Sequence, residues 1–209
     1  MRLSVTNLES FRYFKSREDS DVETLVADLA HVSPPNRKML AGKALASFLE
    51  HAKQDTLDSA TVDGWRFDFN LDASIPSPLM REMKFEEVLQ TKVGPVTLVG
   101  KCDGYEGVTV RDQKLTEKFD PEKYVDSLQW RAYLAMLGAK QFVYDIFVGD
   151  IDEREDVVTV NEYHQMVFYA YPKMWADVER AVGELAEVVT SLMPKYEVLR
   201  KWQEEQALK

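Results

Sequence analysis

Apolar residues recur along this chain first with a helical and then with a strand period, and the changes of period predict its elements. Met39, Leu40, Ala44, Leu45, Phe48 and Leu49 return every three to four residues, which predicts an amphipathic helix from the cap Asn36 to about Lys53. A helix over Val22 to Ala30 is expected to stop before Ser33-Pro34-Pro35, because proline restrains the residue before it and cannot continue a helix. Ahead of it, Asn7 is the expected cap for a segment carrying Phe11, Tyr13 and Phe14, and polar Ser16 to Asp21 forms a break. The period then shortens to two. Val62, Trp65, Phe67 and Phe69 predict a strand over Thr61 to Leu71, followed by a proline loop at Ile75 to Pro78.

Three further strands are expected, at Met80 to Val88, Val96 to Lys101 and Gly107 to Leu115. Asp103-Gly104-Tyr105-Glu106-Gly107 joins the last two, a composition that predicts an antiparallel hairpin with Asp103 opening its turn. Asp120-Pro121 starts and Gly138 stops an expected helix over Glu122 to Leu137. Gln141 to Val148 reads as a buried strand, and the acidic run Asp150 to Asp156 as a solvated loop. A strand from Val157 toward Tyr169 comes next. From Pro172 one long helix to about Gln206 is expected, with a soft point at Met193-Pro194 and a broad apolar stripe through Val178, Val182, Leu185 and Val189. The order predicts an α/β single domain over 1–209, a central mixed β-sheet flanked by helices. Its core spans about 36–170, and a C-terminal helical arm covers 172–209.

Composition narrows the class. The 209 residues, 45% apolar and 30% charged, match an ordinary globular domain with room for a sizeable core. No apolar run approaches membrane-spanning length, and Met1 to Thr6 leads into polar residues, so a cytoplasmic protein without a membrane partner is expected. The single cysteine, Cys102, excludes an intramolecular disulfide and a four-cysteine metal site within one chain. A net charge of −10 argues against broad non-specific nucleic-acid binding, which depends on Lys and Arg, but a basic groove on an acidic protein escapes that argument.

The candidate chemistry lies between Val96 and Tyr133. Asp103 ends one expected strand, and Asp112-Gln113-Lys114 lies on the next, where Val108, Val110, Asp112 and Lys114 share a face. Gln113 points the other way, leaving its backbone carbonyl as a ligand. Two carboxylates hold a hard cation and a lysine adds positive charge, the set that Mg²⁺- or Mn²⁺-dependent phosphodiester hydrolysis needs. Each piece has a plainer reading: a turn aspartate, an exposed strand face, a half-buried polar pair. Gln129 and Tyr133, four residues apart, project from one helix face. His31, His51 and His164 have no metal-ligand spacing. Arg12, Lys15, Arg17, Lys43, Lys118, Lys123 and Arg131 are the candidate phosphate contacts, with a solvated surface as the default for each.

Gly100-Lys101-Cys102-Asp103, Asp112-Gln113-Lys114 and Gln129-Trp130-Arg131-Ala132-Tyr133 together resemble the PD-(D/E)XK nucleases of the RecB-like group, which includes phage exonucleases. The resemblance extends to Ser4-Val5-Thr6-Asn7-Leu8 and to Gly42 to Glu50, so it covers most of Met1 to Phe147. It implies catalysis by Asp103, Asp112 and Lys114, and a Mg²⁺ or Mn²⁺ site on Asp103, Asp112, Gln113 and Glu50. It also implies substrate contacts from Gln129 and Tyr133, to which Lys118 and Arg131 are added from the candidate phosphate contacts. Glu50 enters because Ala46 stands where many relatives carry a metal-binding histidine, and Glu50 is one turn further along. Leu115, where relatives often carry threonine, is a second departure, and the single cysteine excludes the iron–sulfur cluster that some relatives hold. The activity implied is an ATP-independent exonuclease acting on linear DNA ends in the recombination or repair of a bacterial or phage-infected cell. A recombinase partner or a homo-oligomer would supply processivity. The competing expectation is a nuclease-fold protein without catalysis that acts as a binding or inhibitory partner, favoured by the net acidity and Ala46.

Overall fold

Period-two residues from the middle of the chain build one eight-stranded mixed sheet in the computed structural model, which describes residues 1–51, 59–71 and 78–208. The strands are β1 (Arg2–Ser4), β2 (Ala60–Val62), β3 (Trp65–Phe69), β4 (Met80–Thr91), β5 (Gly94–Glu106), β6 (Thr109–Thr116), β7 (Gln141–Asp152) and β8 (Val157–Tyr169). Their order is β1-β5-β6-β7-β8-β3-β2, with β4 also on β5.

β5 organises this arrangement. β4 runs antiparallel along one of its edges from Gly94 to Tyr105. The other edge is shared: β1 pairs in parallel with Thr97 to Val99, and β6 pairs antiparallel with Gly104 to Glu106. Between those two partners, Gly100 to Asp103 face a break in the ladder.

Helices cover both faces. Leu8 and Phe11 of α1 (Val5–Ser16), Leu25 and Leu29 of α2 (Val22–Leu29), and residues of α5 (Leu128–Leu137), α6 (Met174–Leu192) and α7 (Glu197–Ala207) share a core with Phe142, Tyr144 and Ile146 of β7. Ala41, Leu45 and Leu49 of α3 (Arg37–His51) pack with Phe67, Phe147, Val158 and Leu115 in a second core. Phe147 and Ile146 are adjacent on β7 and so point to opposite faces, which places the two cores on either side of the sheet.

Several expectations are corrected. Ser4, not Asn7, caps α1: its Oγ accepts from Asn7 N–H at 3.1 Å, and Asn7 Oδ1 accepts from Ser4 N–H at 2.9 Å. The expected strand over Thr61 to Leu71 is a hairpin, because Asp63 and Gly64 both take positive φ in the tight turn between β2 and β3. Asp103 lies inside β5, whose pairing with β6 continues to Glu106, and Val108 falls in the turn rather than on β6. The helix from Asp120-Pro121 is two: α4 (Glu122–Val125), then a fresh start where Ser127 caps α5. The C-terminal helix likewise breaks into α6 and α7 around Pro194. The expected end of α3 at Lys53 and the loop at Ile75 to Ser77 lie outside the described residues.

α7 closes the edge of β1. The Gln203 amide accepts from Arg2 N–H at 3.2 Å and donates to Arg2 C=O at 3.0 Å, replacing the strand that is missing there. Gln203→Ala is expected to cost about 1–2 kcal/mol in a urea denaturation curve, the worth of two hydrogen bonds at a half-covered edge. A change below a few tenths would mean that water serves that edge equally well.

Candidate active site

The break in the ladder beside β5 is where the candidate side chains meet. β5 and β6 are last paired at Gly104 and Arg111, so continuing the register sets Asp103 opposite Asp112. There the strands part. Instead of a ladder bond, Gln113 N–H donates to Asp103 Oδ2 at 2.7 Å, so one peptide of the acid-x-lysine triplet is tied to the other carboxylate. Asp112 is 3% exposed, whereas the Lys114 side chain keeps about 35% of its surface open.

The two carboxylates share one electrostatic problem. Burial raises the Asp112 pKa to about 7, against the pull of Lys114, and the neighbouring Asp103 and Asp145 charges push it further up. Burial also raises Asp103, opposed by the Gln113 N–H and by Lys114 and Lys101. Burial works against the Lys114 ammonium, but Asp112 and Asp103 outweigh it and hold its pKa above the ordinary value. Lys114 and Asp112 form an ion pair through Oδ2. That oxygen is buried, with the ammonium as its partner.

α5 completes the site. Gln129 Nε2 donates to Asp112 Oδ1 at 2.7 Å. Tyr133 donates through its hydroxyl to Lys101 C=O at 2.7 Å, satisfying a carbonyl that lies in the gap between β1 and β6. Tyr133 is 4% exposed, and burial raises its pKa. Gly100 makes this approach possible, since a Cβ there would lie 2.4 Å from the Phe85 ring and 3.0 Å from Tyr133. The glycine three residues before Asp103 thus has a packing reason.

Asp103, Asp112, Gln113, Lys114, Gln129 and Tyr133 are therefore brought together, while the other named residues lie apart. Among the described residues, no three His, Cys, Asp or Glu side chains converge closely enough to hold an ion, so Glu50 does not join the two aspartates. Its helix packs on the Leu115 side of β6, and side chains alternate along a strand. Arg81 reaches the end of that helix through the Leu49 carbonyl at 2.9 Å and the Glu50 carbonyl. Arg131 donates to the carbonyls of Val125, Asp126 and Ser127 and lies over the Trp130 ring, while Lys118 is exposed in the loop after β6. Arg12, Lys15 and Arg17 are paired with Glu9, Glu184 and Asp19. His51 Nδ1 bonds Ser47 C=O at 2.8 Å, and His164 stacks on Phe119.

Four neighbours of the site were not singled out by sequence. Tyr144 carries the Lys114 ammonium 5.8 Å above its ring, and Glu9 and Ser127 link to it by hydrogen bonds. Lys101 pairs with Glu82, which has φ +56 inside β4. Arg2, Lys84, Glu86, Lys101 and Tyr133 help to line a groove of about 520 Å³, in which Arg2 is paired with Glu86.

No protein-family model and no curated protein matches the chain. Solved structures do. That of SSO0001 is similar over 90% of this chain and 76% of its own, with 12% identity and a TM-score of 0.52. A phage-related exonuclease from Haemophilus somnus 129PT is similar over 92% and 96%, with 9% identity and a TM-score of 0.50. An alkaline exonuclease from Laribacter hongkongensis aligns over 100% and 95% at 11% identity, with a TM-score of 0.47. The chain has the α/β fold of a mixed sheet between helices that the phage-related exonuclease has. No helix among the described residues is long and apolar enough to cross a membrane.

Proposed function

We propose that the chain is a PD-(D/E)XK-type nuclease that hydrolyses DNA with Mg²⁺ or Mn²⁺, acting on linear ends. The observation that carries this reading is the opposition of Asp103 and Asp112 where β5 and β6 part, with Lys114 paired to Asp112 Oδ2 beside them. Two carboxylates fit Mg²⁺, which is commonly held by one or two of them together with water and substrate phosphate.

Asp103 and Asp112 would hold the ion, with the Gln113 carbonyl as a candidate third ligand. When bound, the ion supplies an activated water and neutralises phosphate charge. Lys114 positions that water and stabilises the charge that builds on the phosphate oxygens. Gln129 fixes Asp112, and Tyr133 fixes the strand on which Asp103 lies. A role in bacterial or phage recombination, a recombinase partner and a homo-oligomer rest on the family resemblance and the fold likeness.

The second reading is a nuclease-fold protein without catalysis, favoured by the absence of a third converging ligand among the described residues and by the net charge of −10. End-labelled linear DNA with Mg²⁺, with Mn²⁺ and with EDTA separates the two. Release of label that needs the metal is expected, and circular DNA is expected to survive. Folded protein that leaves linear DNA intact in both metals would sink the enzyme reading.

A further inference from the structure

The two oxygens of Asp112 have different surroundings. Oδ1 accepts from Gln129 Nε2 at 2.7 Å, and Oδ2 is left toward Lys114. This division depends on which end of the Gln129 amide faces the carboxylate. An amide turned end for end would set its carbonyl oxygen against Oδ1, acceptor against acceptor.

The ionised carboxylate, which only accepts, takes the NH₂ end, and a line of hydrogen bonds reaching back to α1 holds Gln129 in that place. Glu9 Oε2 is held by Arg12 at 3.0 Å. Glu9 Oε1 accepts from Ser127 Oγ at 2.9 Å and from Gln129 N–H at 2.8 Å. Because an ionised carboxylate only accepts, the single hydroxyl proton of Ser127 is committed to Glu9. Tyr144 Oη, 2.9 Å from Ser127 Oγ, must then donate, and its proton is shared with Gln129 Oε1 at 3.3 Å. With its NH₂ end on Asp112, Gln129 turns its carbonyl toward this hydroxyl. Tyr144 is 1% exposed and Ser127 4%, so water does not compete for these bonds.

We propose that Glu9, Ser127 and Tyr144 are positioning residues. Their hydrogen-bonded line locks the Gln129 amide so that it saturates Oδ1 and leaves Oδ2 for the cation. The inference rests on the nuclease reading of the same site. It gives α1 a role in metal binding although none of its side chains touches the two aspartates.

The test is calorimetric titration of the full chain with Mn²⁺, which requires no turnover. Tyr144→Phe keeps the ring and deletes the hydroxyl, and about tenfold weaker binding is expected, the usual scale for a residue that orients a metal ligand. Glu9→Gln, at a partly exposed position on α1, is expected to act in the same direction and serves if the buried Tyr144→Phe fails to fold. The deciding comparison is Tyr144→Phe in a Gln129→Ala background, where it should weaken binding no further. A purely structural defect would still add its loss in that background. If the wild type binds Mn²⁺ but the Tyr144→Phe and Glu9→Gln proteins bind it equally well, or the losses multiply in the double variant, the line is not a positioning device and the nuclease reading stands. If the folded wild type binds no Mn²⁺, the nuclease reading falls and this inference with it.

Discussion

Asp112→Asn is expected to raise the melting temperature of the metal-free protein at pH 8, by on the order of 5–10 °C, while abolishing divalent-cation binding and DNA cleavage. The cause is the buried charge. Burial lifts the Asp112 pKa to about 7 in the folded chain, above its unfolded value. Its stabilising contribution is therefore complete below the unfolded pKa and is lost as the pH rises through about 7. Above that pH, holding the ionised form costs on the order of 2–4 kcal/mol. Asparagine removes the charge, keeps an oxygen for Gln129 Nε2, and sets a donor toward Lys114, whose partly exposed side chain has room to move away. Melting followed from pH 5 to pH 8 should fall in the wild type and stay flatter in the variant. Added Mn²⁺ should raise the wild-type melting temperature more at pH 8 than at pH 5, because only ionised carboxylates bind the ion. Lys114→Ala gives the opposite pairing of effects: cleavage lower by on the order of 10²–10⁴-fold, and a fold that is less stable at pH 8 because Asp112 has lost its counter-charge. An Asp112→Asn protein that melts lower than wild type throughout would show that the carboxylate is a structural anchor and not a strained ligand.

The parts of this site that were legible in the sequence are the local ones. A strand with an acid and a lysine two residues apart, and a helix with Gln129 and Tyr133 four apart, each place their side chains by a period that neighbouring residues set. The placement of Asp103 was harder to read: a hairpin composition was visible, but only pairing with β6 as far as Glu106 shows that the turn comes later. Asp63-Gly64 was a readable hairpin signal that the strand-like alternation around it concealed. β1 has three residues, too few for a period, and exists because β5 and Gln203 lie on its two edges. The Glu9, Ser127 and Tyr144 line joins residues up to 135 apart in number, and no spacing along the chain encodes a contact of that kind. The same holds for Glu50, whose helical spacing was right but whose helix packs on the other core.

The largest stability loss is expected behind the site, at Asp145→Ala. Arg111 and Gln113 point to the face of β6 opposite Asp112 and Lys114, and Gln113 is in register with Asp145 of β7. Asp145 is 1% exposed and Arg111 9%. Arg111 Nη1 donates to Asp145 at 3.2 Å, Gln165 Nε2 donates at 2.9 Å, and the Tyr163 hydroxyl donates as well. Deleting the carboxylate leaves a buried guanidinium without its counter-charge and the Tyr163 hydroxyl without its acceptor, while Gln165 Nε2 keeps Tyr163 Oη at 2.8 Å, a change that costs about 3–5 kcal/mol. Removing both charges is a different case, since the desolvation of the pair disappears with it. Arg111→Met combined with Asp145→Leu should recover most of the loss, which guanidinium denaturation of the single and double variants can measure. The position also bears on the site itself, because Asp145 lies beside the peptide that holds Asp103 and its charge raises the pKa of both Asp103 and Asp112. A single variant that loses less than about 1 kcal/mol would mean that Arg111 reaches water once its partner is gone, and that the pair does not fix β6 against β7.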